Sequence, residues 1–138
     1  MRTGLLFIAA ALMGGSLIAT RATHAQTSTR VFELRTYTCN EGKLPDLITR
    51  FRDHTITIFN RHHMTSIGYW VPQDPPRSSN TLIYILAHPS REEAKANWSA
   101  FNNDPEWQKV AAESQANGKI VNHVDSVFMT PLDFSAIK

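Results

Sequence analysis

Arg30-Val31-Phe32-Glu33-Leu34-Arg35-Thr36-Tyr37-Thr38-Cys39 alternates in two registers. Successive strand side chains point to opposite faces, so Phe32 and Leu34 share one face and Glu33, Arg35 and Tyr37 share the other. Alternation sustained over such a run predicts a β-strand. An acid, a base and an aromatic in one register mark a face that lines a ligand pocket or a subunit interface.

Downstream, Asn40-Glu41-Gly42-Lys43 turns the chain, with Gly42 supplying a positive φ at little cost. Residues 44–61 read as an amphipathic helix: Leu44, Leu47, Ile48, Phe51, Thr55, Ile58 and Phe59 recur at helical spacing. Pro45 is tolerated in its first turn. Thr55-Ile56-Thr57-Ile58-Phe59 is rich in β-branched residues, which favour strands, but periodicity and length favour the helix. Residues 64–71 form a second strand, in which Gly68 marks a bulge or a close backbone approach. Residues 72–80 form a Pro-rich loop, and the nearly continuous apolar run 81–87 suits a strand buried on both faces. Ser90 and Glu93 make a capping box for the next helix. Asp104 and Pro105 open another, which Gly118 closes. Residues 120–129 are the last strand. Merging the two short helices gives βαββαβ, an α+β ferredoxin-like sandwich with a four-stranded antiparallel sheet and helices on one face. The other face, to which Tyr37 is expected to point, then needs a cover, and a second copy of the sheet is the simplest one. The partner expected is therefore a homodimer through the open sheet face.

Upstream, residues 1–25 read as a secretory signal peptide. Met1-Arg2-Thr3 is a short basic start, Leu5 to Ile18 is an apolar run, and Thr23-His24-Ala25 is a small-x-small site. Cleavage falls before Gln26, with Ala22 as the alternative site. The run is shorter than a membrane-spanning helix requires and no second one follows, so no membrane association is expected after cleavage. Residues 26–30 are a polar leader and 31–138 the folded domain. The expected location is outside the cytoplasm, in a periplasm or secreted. Of the 14 Lys and Arg residues, Arg2 and Arg21 fall in the signal, leaving 12 against 12 Asp and Glu. A neutral mature chain offers no basic surface for nucleic acid. The single cysteine, Cys39, cannot form an internal disulfide; it reads as a semi-buried free thiol, with a bridge to a second chain as the alternative.

Phe32-Glu33-Leu34-Arg35-Thr36-Tyr37, Gly42-Lys43-Leu44, His63-Met64 with Ile67-Gly68-Tyr69-Trp70, and Asp104-Pro105-Glu106-Trp107 together resemble the NIPSNAP family, over about residues 31–131. The resemblance implies a ferredoxin-like protomer that dimerises sheet to sheet as a dimeric α/β barrel. The wider group of such barrels includes antibiotic-synthesis monooxygenases and haem-binding relatives. No general reaction is established for NIPSNAP proteins, so the resemblance implies fold more than function. The family suggests mostly cytosolic or mitochondrial proteins, and the export signal departs from that pattern.

The ligand-pocket candidates are Glu33, Arg35, Tyr37, Trp70 and His123. Arg35 can hold an anionic group and Tyr37 can donate a hydrogen bond; equally, Glu33 and Arg35 can pair across a dimer interface. Trp70 can wall a cavity or serve as core. His123 shares a face with Asp125 and reads as a base, a haem ligand or a hydrogen-bonded strand histidine. His54 and His62 are too far apart for helical zinc ligation, and no cluster suggests a metal. No phosphate loop, nucleophile elbow or carboxylate pair is present. No cofactor is called for by these motifs, and no catalytic residue is assigned. Trp98, Phe101 and Trp107 read as core. Two functions remain open: a dimer that binds a small molecule in its inter-sheet cavity, and a small monooxygenase- or isomerase-type enzyme, with or without haem.

Overall fold

The computed structural model describes residues 30–138. The signal read over residues 1–25, and all of the polar leader except Arg30, lie outside the described residues. Strand β1 (Val31–Cys39) leads into α1 (Leu44–Arg50), a π-helical turn (Phe51–Thr55) and α2 (Ile56–Arg61), which run on without a break. Then follow β2 (Thr65–Trp70), a 3-10 turn (Arg77–Ser79), β3 (Thr81–His88), α3 (Arg91–Asn102), α4 (Pro105–Ser114) and β4 (Val121–Met129). The strands form one antiparallel sheet in the order β2-β3-β1-β4. This is the ferredoxin-like α+β plan expected from the element order.

Local chemistry explains most boundaries. Gly42 takes φ 71° in the turn after β1. The Glu93 backbone N–H donates to the Ser90 hydroxyl at 3.1 Å. The Asp104 carboxylate accepts from the backbone N–H groups of Glu106 and Trp107, capping α4. The β-branched stretch after Phe51 stays helical, but the helix widens there. The Ile56 N–H bonds to the carbonyl of Phe51, five residues back, and the Thr55 hydroxyl donates to the Arg50 carbonyl at 3.2 Å. Thr hydroxyls that bond back to the preceding turn loosen helices in this way. Helix α4 ends at Ser114, earlier than expected; Gly118, at φ 109°, instead serves the turn into β4.

The core lies between the sheet and the helices: Leu44, Leu47, Phe51, Ile58 and Phe59 meet Leu82, Tyr84 and Leu86, with Phe101 from α3. Strand register places Glu33 beside Leu86, Arg35 beside Tyr84 and Tyr37 beside Leu82. The polar register of β1 therefore faces the helices. Tyr37 meets Phe51 edge-on at 5.9 Å, and the Arg35 guanidinium lies 4.2 Å over the Trp98 ring. This reverses the expectation that Tyr37 points to the open face. The physical reason is that the helices bring polar partners of their own, while Phe32 and Leu34 make the other register the more apolar one. Strand β3 is apolar in both registers and discriminates between neither.

A bulge between Ser66 and Gly68 changes the facing of β2 as well. Ser66 does not share a face with Gly68 and Trp70, as simple alternation would have it. Its hydroxyl instead meets that of Tyr69 at 2.6 Å, with Tyr69 stacked on Tyr84. Gly68 permits a close approach: a Cβ there would lie 2.6 Å from the Trp70 ring.

Candidate functional site

Glu33 is 1% exposed and is the hub of a buried polar cluster. Its Oε1 accepts from Arg35 Nη1 at 2.8 Å and from the Ser126 hydroxyl at 2.7 Å. Its Oε2 accepts from the Trp98 indole at 2.7 Å and from His88 Nε2 at 3.1 Å. Burial by itself would raise the Glu33 pKa; hydrogen bonds from His88, Ser126, Trp98 and Arg35 outweigh it and hold the carboxyl down to about 2. Arg35 Nη2 donates onward to the Tyr37 hydroxyl at 3.2 Å, which also accepts from Tyr84 at 3.1 Å. Burial disfavours the Arg35 charge, yet Tyr37, Tyr84 and Glu33 keep its pKa above the ordinary value. Burial pushes the Tyr84 hydroxyl well up. With four donors on its two oxygens, the Glu33 carboxylate has its acceptor sites filled. It is a fixed counter-charge, not a free base.

The five sequence candidates do not form one site. Glu33, Arg35 and Tyr37 meet between sheet and helices, and Glu33 and Arg35 pair within one strand of one protomer. Trp70, 49% exposed, lies on edge strand β2. His123 lies on the opposite edge, β4, exposed and bonded to Asp125 at 3.1 Å. Its in-register neighbours are polar, since Thr38 stands beside His123 and Thr36 beside Asp125. An exposed histidine among hydroxyls and a carboxylate does not fit a haem plane, which needs an apolar cradle. Among the described residues no group of three His, Cys, Asp or Glu side chains is arranged to hold a metal ion. Cys39 is buried and free, and burial raises its pKa.

Sequence reasoning missed Tyr84, His88, Trp98 and Ser126. A signal existed for two of them. Tyr84 put a hydroxyl inside an apolar run, and a buried Trp98 needs an acceptor for its indole N–H.

A second feature is apolar. On the sheet face away from the helices, Phe32, Ile67, Ile85 and Met129 floor a groove of about 370 Å³, walled by the C-terminal segment with Leu132 and Phe134. None of the five candidates lines it. A third feature, a pocket of about 390 Å³, lies between α1 and α4 and includes Arg50.

The NIPSNAP family profile matches residues 32–136, about three quarters of the chain. The chain belongs to the NIPSNAP family. No curated protein matches it. A NIPSNAP family protein of unknown function from Agrobacterium tumefaciens is 22% identical, with a TM-score of 0.69, over 80% of this chain and 96% of that one. A NIPSNAP-like domain protein from Burkholderia xenovorans is 18% identical, with a TM-score of 0.68, over 78% of this chain and 90% of that one. A monooxygenase from Streptomyces coelicolor, solved with nanaomycin D, is 14% identical, with a TM-score of 0.55, over 76% of this chain and 89% of that one. At these identities the likeness is one of fold. This NIPSNAP protein thus shares its protomer architecture with family members and with a monooxygenase.

Proposed function

We propose that this NIPSNAP protein is an exported homodimer that binds a small apolar molecule at the uncovered face of its sheet. The observation that carries the reading is the groove of Phe32, Ile67, Ile85 and Met129 under the C-terminal segment. Its volume falls within the usual range of ligand sites, which are mostly apolar and concave. The inter-sheet location expected from the sequence is kept, but the residues change. The groove residues replace Glu33, Arg35 and Tyr37, which face the helices. Export rests on the signal peptide read over residues 1–25, and dimerisation on the apolar part of the open face.

The enzymatic alternative, a monooxygenase- or isomerase-type activity, needs an acid or base that reaches the ligand. Glu33 lies across the sheet with its acceptor sites filled, so the geometry favours binding. The test is a titration with Nile red, a neutral apolar fluorophore. A saturable rise in fluorescence is expected, reduced at least several-fold in affinity by Leu132→Asp, an exposed groove-wall change. A non-saturable signal, or one indifferent to Leu132→Asp, would sink the proposal.

A further inference from the structure

Arg50 ends α1, just before the π-helical turn, and is 6% exposed. A buried guanidinium ordinarily has a carboxylate partner, because desolvating an unpaired charge costs several kcal/mol. Arg50 has none: no carboxylate of the described residues forms an ion pair with it. Its Nη1 makes one long hydrogen bond, 3.4 Å to the Ser114 hydroxyl, and its Nε has no acceptor. The guanidinium also lies 5.4 Å from the Trp107 centroid, and Tyr37, Cys39 and Tyr84 stand near enough to favour its charge. Burial, the dominant influence, lowers the Arg50 pKa, as expected of a cation without a counter-charge.

The surroundings suit an incoming anion. Arg50 lines the pocket of about 390 Å³ together with Lys43, Thr49, His54, Val110 and Ser114. Two carboxylates, Asp46 and Glu113, also line it. Asp46 is engaged by Lys43 at 3.1 Å and Glu113 by Lys109 at 3.9 Å. Arg50 is therefore the unmatched charge of the pocket. The helix is also irregular at this point, and π-turns inside α-helices recur at functional sites.

We propose that the pocket between α1 and α4 binds a small organic carboxylate, whose oxygens pair with the part of the Arg50 guanidinium that lines it. A planar guanidinium matches a carboxylate with two parallel hydrogen bonds. The acidic rim of Asp46 and Glu113 disfavours a dianion, so a monocarboxylate fits better than phosphate. The site is separate from the apolar groove, and either can fail without the other.

The readout is the ¹H–¹⁵N signal of Arg50 Nε in the full domain, titrated with benzoate, its neutral analogue benzamide, and inorganic phosphate. Benzoate is expected to move the signal saturably, benzamide to leave it in place, and phosphate to bind at least tenfold more weakly. Thr49→Trp, an exposed change at the pocket wall, should abolish the benzoate shift while the Trp98 indole signal stays put. Arg50→Met should also abolish benzoate binding, read by calorimetry; if that variant does not fold, Thr49→Trp still decides. No shift with benzoate means that water alone solvates Arg50 and overturns the proposal. So does an equal response to benzamide, tighter or equal binding of phosphate, or a shift that survives Thr49→Trp.

Discussion

Glu33 illustrates how one residue can be read correctly as a chemical group and misread as a site. A charge in an alternating strand next to Arg35 was bound to be paired, and it is. What the sequence concealed was the direction of the pair, since nothing in β1 states which register meets the helices. The consequence is a pH dependence. The carboxyl titrates near 4.5 when unperturbed and is held down to about 2 in the fold. A depressed acid stabilises the folded state fully above its unfolded pKa, and the contribution is lost as pH falls through the folded value. A carboxyl lowered that far contributes about 3 kcal/mol at neutral pH. Glu33→Gln is expected to lose about that much at pH 7, since it leaves Arg35 buried without its counter-charge. Urea titrations between pH 4.5 and 2 should show a steep decline for the parent and a shallower one for the variant. Parallel curves would mean that Glu33 does not carry the acid sensitivity.

Capping made the helices legible, because Ser90, Asp104 and Pro105 act within a few residues of themselves. The π-turn was less so. The β-branched run after Phe51 signalled a conflict, and the fold resolved it by widening the helix rather than leaving it for a strand. The end of α4 was missed because Gly118 serves the following turn, and no residue near Ser114 advertises a stop. Asp104 shows an element doing more than its motif implies. Besides capping α4 it accepts from His62 Nε2 at 2.7 Å, and Arg61 Nε lies 3.4 Å away. The hydrogen bond from His62, chiefly, lowers its pKa. One carboxylate thus ties the end of α2 to the start of α4. Asp104→Ala should lower the urea midpoint more than Asp104→Asn, because Asn keeps the Oδ1 acceptor that caps α4 and loses the charge and the Oδ2 acceptor that meets His62 and Arg61. Hydrogen exchange at His62, His63 and Met64 should quicken in both. Equal midpoints for the two variants would show that the tie to α2, not the cap, carries the effect.

At the scale of the whole molecule, the topology was readable from the order of elements, but the character of the open face was not. That face is apolar at one end, where Leu34 of β1 stands beside Val127 of β4 with Ile83 and Ile85 on β3, and polar at the other, where Thr36 and Thr38 stand beside Asp125 and His123. Val127 is 53% exposed in the protomer. The C-terminal segment covers only the end around Phe32 and Met129. Contiguous apolar surface on a sheet calls for a partner, and an isologous pairing would set Leu34, Val127 and Trp70 of two copies into one interface. Light scattering coupled to gel filtration should then report a dimer for the parent domain. Val127→Glu would bury carboxylates without counter-charges in both halves of such an interface, at a cost of several kcal/mol. The variant should elute as a monomer with unchanged far-ultraviolet circular dichroism, since residue 127 is half exposed in the protomer and little of its fold depends on it. A parent protein that is monomeric at micromolar concentration, or a Val127→Glu dimer as tight as the parent, would leave the apolar face without the second sheet proposed to cover it.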